Sequence, residues 1–359
     1  MSAPRTYVIA EAGVNHNGDR DLAFALIDGA AAAGADAVKF QTFNADLLAS
    51  ASVAKAGYQK ERTGSGESQH SMLKRLELPH EWHRDLQAYA QDRSLDFIST
   101  AFDRDSLDML IDLGMPIVKV PSGELTNAPM LWRYANAGKP IILSTGMGTL
   151  SDVEQALAVV THAMHEDEEP RSMADAWASW GNPERRALLR ERVTILQCTT
   201  QYPAADSDIN LGAMKTLASA FGLPVGYSDH SLGATAAIAA VAMGATIVEK
   251  HFTTDRGLPG PDHAASLEID ELVKLVAAIR SVEAMRGDGA KIPRPGEWEM
   301  RRVARQQVVA GRAIKYGTTI QRDDLATARC DGIVPAAELW DLVGTVASHD
   351  FATGEPYRR

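Results

Sequence analysis

Apolar and polar positions alternate along the first 253 residues in a repeating rhythm. Short runs rich in β-branched and aromatic residues recur at 6–13, 35–42, 95–102, 116–122, 139–145, 193–200, 223–230 and 246–253. Alanine- and leucine-rich stretches of helical period separate several of them, as at 21–34, 151–164 and 231–244, and the first and last of these end in glycine, a common helix stop. Eight strand–helix repeats predict an α/β protein built as a (β/α)8 TIM barrel, a fold that typically needs about 250 residues. The competing doubly wound open sheet lacks its usual signature, since "AGVNHNG" after the first strand is no dinucleotide fingerprint.

Two stretches leave the rhythm. Residues 165–192 are densely charged and read as a surface insertion with a helical second half. Residues 283–302 are rich in Gly, Pro and charge and read as a linker. The expected organisation is therefore a barrel over 1–282, the linker, and a small β-rich domain over 303–359.

Within a strand, residues two apart share a face. In "VEKHFT", Val248 and Phe252 suit the helix layer, which turns Glu249 and His251 into the barrel. Lys250 is out of phase and is expected to snorkel at the strand end. The same parity turns Ser228 and His230 inward one strand earlier, Lys39 and Gln41 on the second strand, and Lys119 on the fourth. Glu11 shares the phase of Ile9 on the first. A single strand histidine is usually a hydrogen-bonded core residue. Polar groups on five strands, all near the C-terminal ends, would cost too much desolvation unless a site used them.

Charge narrows the partners. With 36 basic and 47 acidic residues the chain carries −11, and no basic stripe is present to neutralise nucleic acid. No apolar stretch approaches the roughly 20 residues that span a bilayer. With no signal sequence read at the N-terminus, a soluble cytoplasmic protein is expected. Cys198 and Cys330 form no metal-spaced pair, which fits a reducing compartment. Two histidines on adjacent strands with carboxylates nearby suit Mn²⁺, Zn²⁺ or Fe²⁺, and with no thiolate expected at the site structural zinc is disfavoured. Lys39, Lys119, Ser122 and Ser144 form a cationic, hydroxyl-rich arc suited to a phosphate beside a carboxylate.

The motifs "IAEAGVNHNGD", "AVKFQTF", "FISTAFD", "VPSGE", "ILSTGM", "YSDHSLG", "EKHFT" and "GPDHAASLE", in this order, resemble the N-acetylneuraminate synthase family of nonulosonate synthases. Residues 303–359 resemble that family's antifreeze-like SAF domain. The resemblance implies condensation of phosphoenolpyruvate with an N-acylated aminosugar, N-acetylmannosamine or a 2,4-diacetamido-6-deoxy hexose. The product would be a nine-carbon 2-keto-3-deoxy acid of sialic or legionaminic type, and phosphate would leave by carbon–oxygen cleavage. It implies His230 and His251 as ligands of Mn²⁺ or another divalent metal that polarises the sugar aldehyde. It assigns Lys39, Lys119, Ser122, Ser144 and Ser228 to phosphoenolpyruvate, and Glu11, Gln41, Tyr202, Glu249 and Asp262 to the sugar and reacting centre. Glu11 or Glu124 would be the general base. The family's homodimer lays the small domain over the partner barrel, where Arg329 would meet the acyl group. Thr200 stands where the family often has Asn, "RQQ" (305–307) replaces an Arg-Arg-Ser segment, and the setting of Arg329 in "ARCD" also departs from the family. A different phosphoenolpyruvate-dependent keto-acid synthase and a non-catalytic sugar-binding protein are the alternatives.

Overall fold

The computed structural model describes residues 5–48 and 68–359. Two compact units divide the chain, Met1–Asp288 and Gly289–Arg359.

Eight parallel strands form the first unit's barrel: β1 (Tyr7–Gly13), β2 (Ala37–Thr42), β3 (Asp96–Ala101), β4 (Val118–Val120), β5 (Ile141–Ser144), β6 (Val193–Cys198), β7 (Val225–Asp229) and β8 (Ile247–Thr253). Their order is β3-β2-β1-β8-β7-β6-β5-β4, and β3 and β4 lie side by side to bring the cylinder nearly closed. The two-residue β9 (Leu267–Glu268) pairs with the end of β8. The barrel expected from the hydrophobic rhythm is the fold observed. Local chemistry sets the crossover helices. Asp19 caps helix Arg20–Ala33 by accepting from the backbone N–H of Asp21 and Leu22, and Gly34 ends it in the left-handed region at φ 72°. Thr149 and Asp152 close a reciprocal capping box on helix Leu150–Ala163.

Side-chain parity builds the interior in layers. Ile9, Ala37, Ile98, Ile142, Leu196 and Ile247 point inward and form one buried apolar stratum. At Gly226 a Cβ would stand 2.5 Å from the Ile247 carbonyl and 2.6 Å from Leu196 Cδ2, so only glycine fits that level of β7. Two residues further along most strands, the inward positions become polar. The outward residues Val8, Val38, Phe40, Val248 and Phe252 pack with Leu26, Ala30, Leu272 and Ile279 of the helical layer. Burying side chains of this size contributes about 1.5–3 kcal/mol each.

The 165–192 segment contains helices Met173–Trp180, Pro183–Ala187 and Leu189–Arg192. Helix Ile269–Arg286 closes the first unit. In the second, β10 (Gln307–Ala310) pairs antiparallel with β11 (Leu325–Ala328), over a core of Val308, Ile314, Ile320, Leu339, Phe351 and Tyr357. Among the described residues no helix is long and apolar enough to cross a membrane.

Candidate active site

At the C-terminal ends of the strands the polar layer forms a closed charge set. Lys39 Nζ stands 2.6 Å from Glu11 Oε1 and donates to Thr100 Oγ1 at 3.1 Å. Lys119 Nζ stands 2.8 Å from Glu249 Oε1, which also accepts from Ser228 Oγ at 2.9 Å. Lys39 Nζ lies 3.6 Å from Glu249 Oε2, joining the two pairs, and Gln41 Nε2 donates to Glu11 at 3.2 Å. All four charged side chains are 2–4 % exposed. Burial alone would raise the Glu11 carboxyl, but His251, Lys39 and Lys119 outweigh it and hold it well below the usual range. Burial likewise opposes ionisation of Glu249, and Lys119 and Lys39 keep it anionic. The Lys39 ammonium is kept charged against burial by the same two glutamates.

Beside this set stand the two histidines, their rings 5.6 Å apart. His230 Nδ1 faces the Thr199 carbonyl at 2.7 Å, which assigns a ring proton to that nitrogen and leaves Nε2 as the lone-pair donor once the ring is neutral. His251 Nε2 lies 3.5 Å from Glu11 Oε2, and its buried Nδ1 has no hydrogen-bond partner among the described residues. Burial lowers the His251 pKa, against the opposing pull of Glu11 and Asp262. Burial also opposes a charge on His230, but Cys198, the Thr199 carbonyl and Glu11 push it up to about 9. No group of three or more His, Cys, Asp or Glu side chains in metal-holding arrangement occurs among the described residues. Two imidazoles, one buried nitrogen without a partner and a carboxylate nevertheless fit a divalent ion that leaves positions to water and substrate.

Loops complete the mouth. Ser122 opens a single 3-10 turn after β4, and its Oγ accepts from the Gly146 N–H at 3.0 Å. Gly146 follows Ser144 by two residues. A Cβ there would fall 2.1 Å from Thr200 Oγ1 and 2.7 Å from Ser122 Oγ. Tyr202, on the loop after β6, lays its ring 4.1 Å from that of His230. Ser144 Oγ is buried and unpartnered among the described residues. Together these side chains line a cavity of about 240 Å³. A larger cavity of about 590 Å³ lies against the 165–192 segment, but its Arg171 and Arg185 are already paired with Asp175 and Glu166. Of the two, the barrel mouth combines unpaired buried polar atoms with convergent charge.

Of the residues singled out from sequence, Glu11, Lys39, Gln41, Lys119, Ser122, Ser144, Thr200, Tyr202, Ser228, His230 and Glu249 line this cavity, with His251 packed against them. Asp262 is buried within electrostatic reach of His251 and Glu11, and burial raises its pKa. Glu124 does not line the cavity; its Oε2 accepts from Asn127 at 2.5 Å. Arg329 directly follows β11 in the second unit and is exposed.

Two expectations need correction. A thiol does stand at the site: Cys198 Sγ lies 3.7 Å from His230 Nδ1 and lines the cavity, as do Thr100, Phe102 and Met147, which sequence reasoning also misses. Burial opposes the Cys198 thiolate, and His230 overrides it to lower the thiol pKa. Lys250 does not snorkel. It is 1 % exposed on the helix-facing side, 3.0 Å from Asp229.

Fold and mouth together define a (β/α)8 barrel protein with a buried lysine pair and a histidine pair at its strand ends, followed by a small β unit. The chain belongs to the NeuB family, whose profile matches residues 26–291, and carries a SAF domain at 305–357. It is 42% identical to the N,N'-diacetyllegionaminic acid synthase of Legionella pneumophila over 98% of this chain and 93% of that protein. To the synthase of the same name from Campylobacter jejuni it is 41% identical over 99% of both. Among solved structures, the N-acetylneuraminic acid (sialic acid) synthetase of Leptospira borgpetersenii serovar Hardjo-bovis, in complex with citrate, superposes with a TM-score of 0.66 at 33% identity, covering 82% of this chain and 90% of that one.

Proposed function

We propose that this protein condenses phosphoenolpyruvate with an N-acylated aminosugar of the 2,4-diacetamido-6-deoxy hexose type, giving a nine-carbon 2-keto-3-deoxy acid and phosphate. The observation that carries the reading is the buried Lys39–Lys119 pair beside the unpartnered Ser144 hydroxyl, facing two histidines. The two diacetyllegionaminic acid synthases at 42% and 41% identity favour the diacetamido sugar over N-acetylmannosamine.

In this reading the two lysines hold the carboxylate and phosphate of phosphoenolpyruvate, and Ser122, Ser144 and Ser228 supply hydroxyl donors. His230 and His251 would hold Mn²⁺ or another divalent metal, which supplies Lewis acidity towards an aldehyde oxygen. As C3 of phosphoenolpyruvate bonds to the aldehyde carbon, positive charge grows at C2. Glu11 and Glu249, held anionic by the lysines, stabilise that charge. Water then adds at C2 and the C2–O bond to phosphate breaks. Glu11 is the better candidate to take the water's proton, because Glu124 is turned to Asn127. Gln41, Thr200, Tyr202 and Asp262 orient the sugar.

The protein is further read as a homodimer in which Arg329 meets the acyl group of sugar bound in the partner barrel. Exposed Tyr316, Ile333 and Trp340 on the small unit, 74–77 % accessible, supply apolar surface for such an interface. The deciding experiment measures phosphate release from phosphoenolpyruvate with Mn²⁺ and each sugar. Release with the diacetamido sugar about tenfold or more above N-acetylmannosamine is expected, the scale of the net gain from one additional hydrogen bond. No release with any N-acylated aminosugar would refute the assignment.

A further inference from the structure

Lys250 and Asp229 are costly residues in an unusual place. Each immediately precedes one of the site histidines, and both point away from the barrel interior. Around them Val248 and Phe252 are buried and apolar, and the buried Tyr227 offers only its hydroxyl, which donates to Asp229 Oδ1 at 3.3 Å. A buried ion pair in such surroundings gains little over well-packed apolar side chains, because desolvation offsets the Coulomb attraction. Its presence calls for a role other than bulk stability.

The geometry supplies one. Asp229 and Lys250 are direct register partners across β7 and β8, and their charged atoms stand 3.0 Å apart. Asp229 Oδ1 accepts from both the backbone N–H and the Oγ of Ser231, at 2.8 and 2.7 Å, folding a tight turn around His230. Lys250 Nζ donates to the Ser231 carbonyl at 2.5 Å, tying that turn to the strand that carries His251. From the opposite side, the Ala204 N–H donates to the His230 carbonyl at 2.9 Å. The backbone on either side of His230 is therefore gripped, and one grip comes from the residue next to His251.

Register matters here more than elsewhere in the barrel. A slip of one residue between strands turns every side chain to the other face. Such a slip would send Glu249 and His251 into the helix layer. A slip of two would move His251 about 7 Å along its strand. Neither slipped register sets Lys250 opposite Asp229.

We propose that Lys250 and Asp229 are positioning residues, a cross-strand brace that fixes the spacing of the His230 and His251 imidazoles for metal binding. The inference rests on reading the histidines as the metal site. It is tested on the full chain by titrating Mn²⁺ and following the free ion by electron paramagnetic resonance. Lys250→Met alone leaves Asp229 buried without its cation and is expected to fold poorly. The decisive variant is Asp229→Asn with Lys250→Met. This pair of changes is neutral, keeps a side-chain carbonyl to accept from the Ser231 turn, and deletes only the cross-strand link. It is expected to weaken Mn²⁺ about 10–100-fold, the usual range when a residue supporting a metal ligand is lost. Ile279→Val, which loosens the helix layer elsewhere, should leave Mn²⁺ affinity unchanged. Equal affinity in the double variant and the wild type would overturn the brace alone. Wild-type Mn²⁺ binding that ignores His230→Asn would overturn the metal-site reading and the brace with it.

Discussion

Gly146→Ala tests the mouth at its tightest point. The added Cβ would lie 2.1 Å from Thr200 Oγ1 and 2.7 Å from Ser122 Oγ, where ordinary contact needs more than 3.4 Å. Thr200 must retreat by about 1.3 Å to restore that contact, and the Ser122 hydroxyl must turn away and lose its bond from the Gly146 N–H. A misplacement of about 1 Å among substrate-positioning groups costs on the order of 10²-fold in rate, or about 2.7 kcal/mol of transition-state stabilisation. Gly146→Ala is therefore expected to lower kcat/KM for phosphoenolpyruvate about a hundredfold while the protein still folds. Thr200→Ala alone should cost less than about tenfold, the loss of one neutral hydrogen-bonding group. Because it removes the worse collision, it should return most of the loss when combined with Gly146→Ala. The assay is phosphate release across this double-mutant cycle, with thermal unfolding as the folding control. Wild-type activity in a folded Gly146→Ala protein, or losses that simply add across the cycle, would refute the steric argument.

Four further outcomes are expected. Ser144→Ala removes a buried hydroxyl without a partner, so the melting temperature should hold or rise while KM for phosphoenolpyruvate increases about tenfold; an unchanged KM would count against Ser144 as a ligand group. Lys119→Met leaves Glu249 with the more distant Lys39 as its only cation and should cost about 3 kcal/mol in urea unfolding, most of it recovered with Glu249→Gln but with activity still lost. His16, His83 and His263 are each pushed down to about 4, chiefly by burial, so they stay neutral in the fold while the unfolded chain protonates near 6.5. Their contribution is complete above about pH 6.5 and is lost as pH falls towards 4, up to roughly 3 kcal/mol apiece; stability that is flat between about pH 7 and 4.5 would contradict this. Arg329→Ala should raise KM for the sugar and leave KM for phosphoenolpyruvate alone, and equal effects on both would exclude the acyl-group role.

How far the sequence can be read depends on what parity determines. Alternation along β1, β2, β7 and β8 separates a helix-facing set from an inward polar set, and that separation is enough to recognise the barrel and most of its mouth. Parity fails at Lys250, because an out-of-phase lysine is expected to find water. The helix layer leaves no water there, and the lysine's partner Asp229 lies on the preceding strand. The clue is present in the sequence: Asp229 is equally out of phase, opposite in sign, and likewise precedes a histidine. Cys198 escapes notice because it shares its phase with Leu196 and so reads as core. Only the end of β6, where the strand leaves the apolar stratum, brings its sulfur beside His230. Glu124 sits two residues from Ser122, yet the 3-10 turn carries its carboxylate to Asn127. Short turns break the period that makes strands legible.

The alternating Glu11–Lys39–Glu249–Lys119 set also bears on how substrate arrives. Its four charges cancel, so this set by itself projects little field, while the chain as a whole carries −11. Before the histidines are loaded, a phosphoenolpyruvate trianion would meet no attractive funnel from this set and would feel the chain's net repulsion until within contact distance of the lysines. Encounter should therefore quicken with added salt, which shortens the reach of that repulsion to about 8 Å at physiological ionic strength. On the proposed function, capture would be a short-range exchange, in which phosphate oxygens take over lysine contacts that the carboxylates hold before substrate binds.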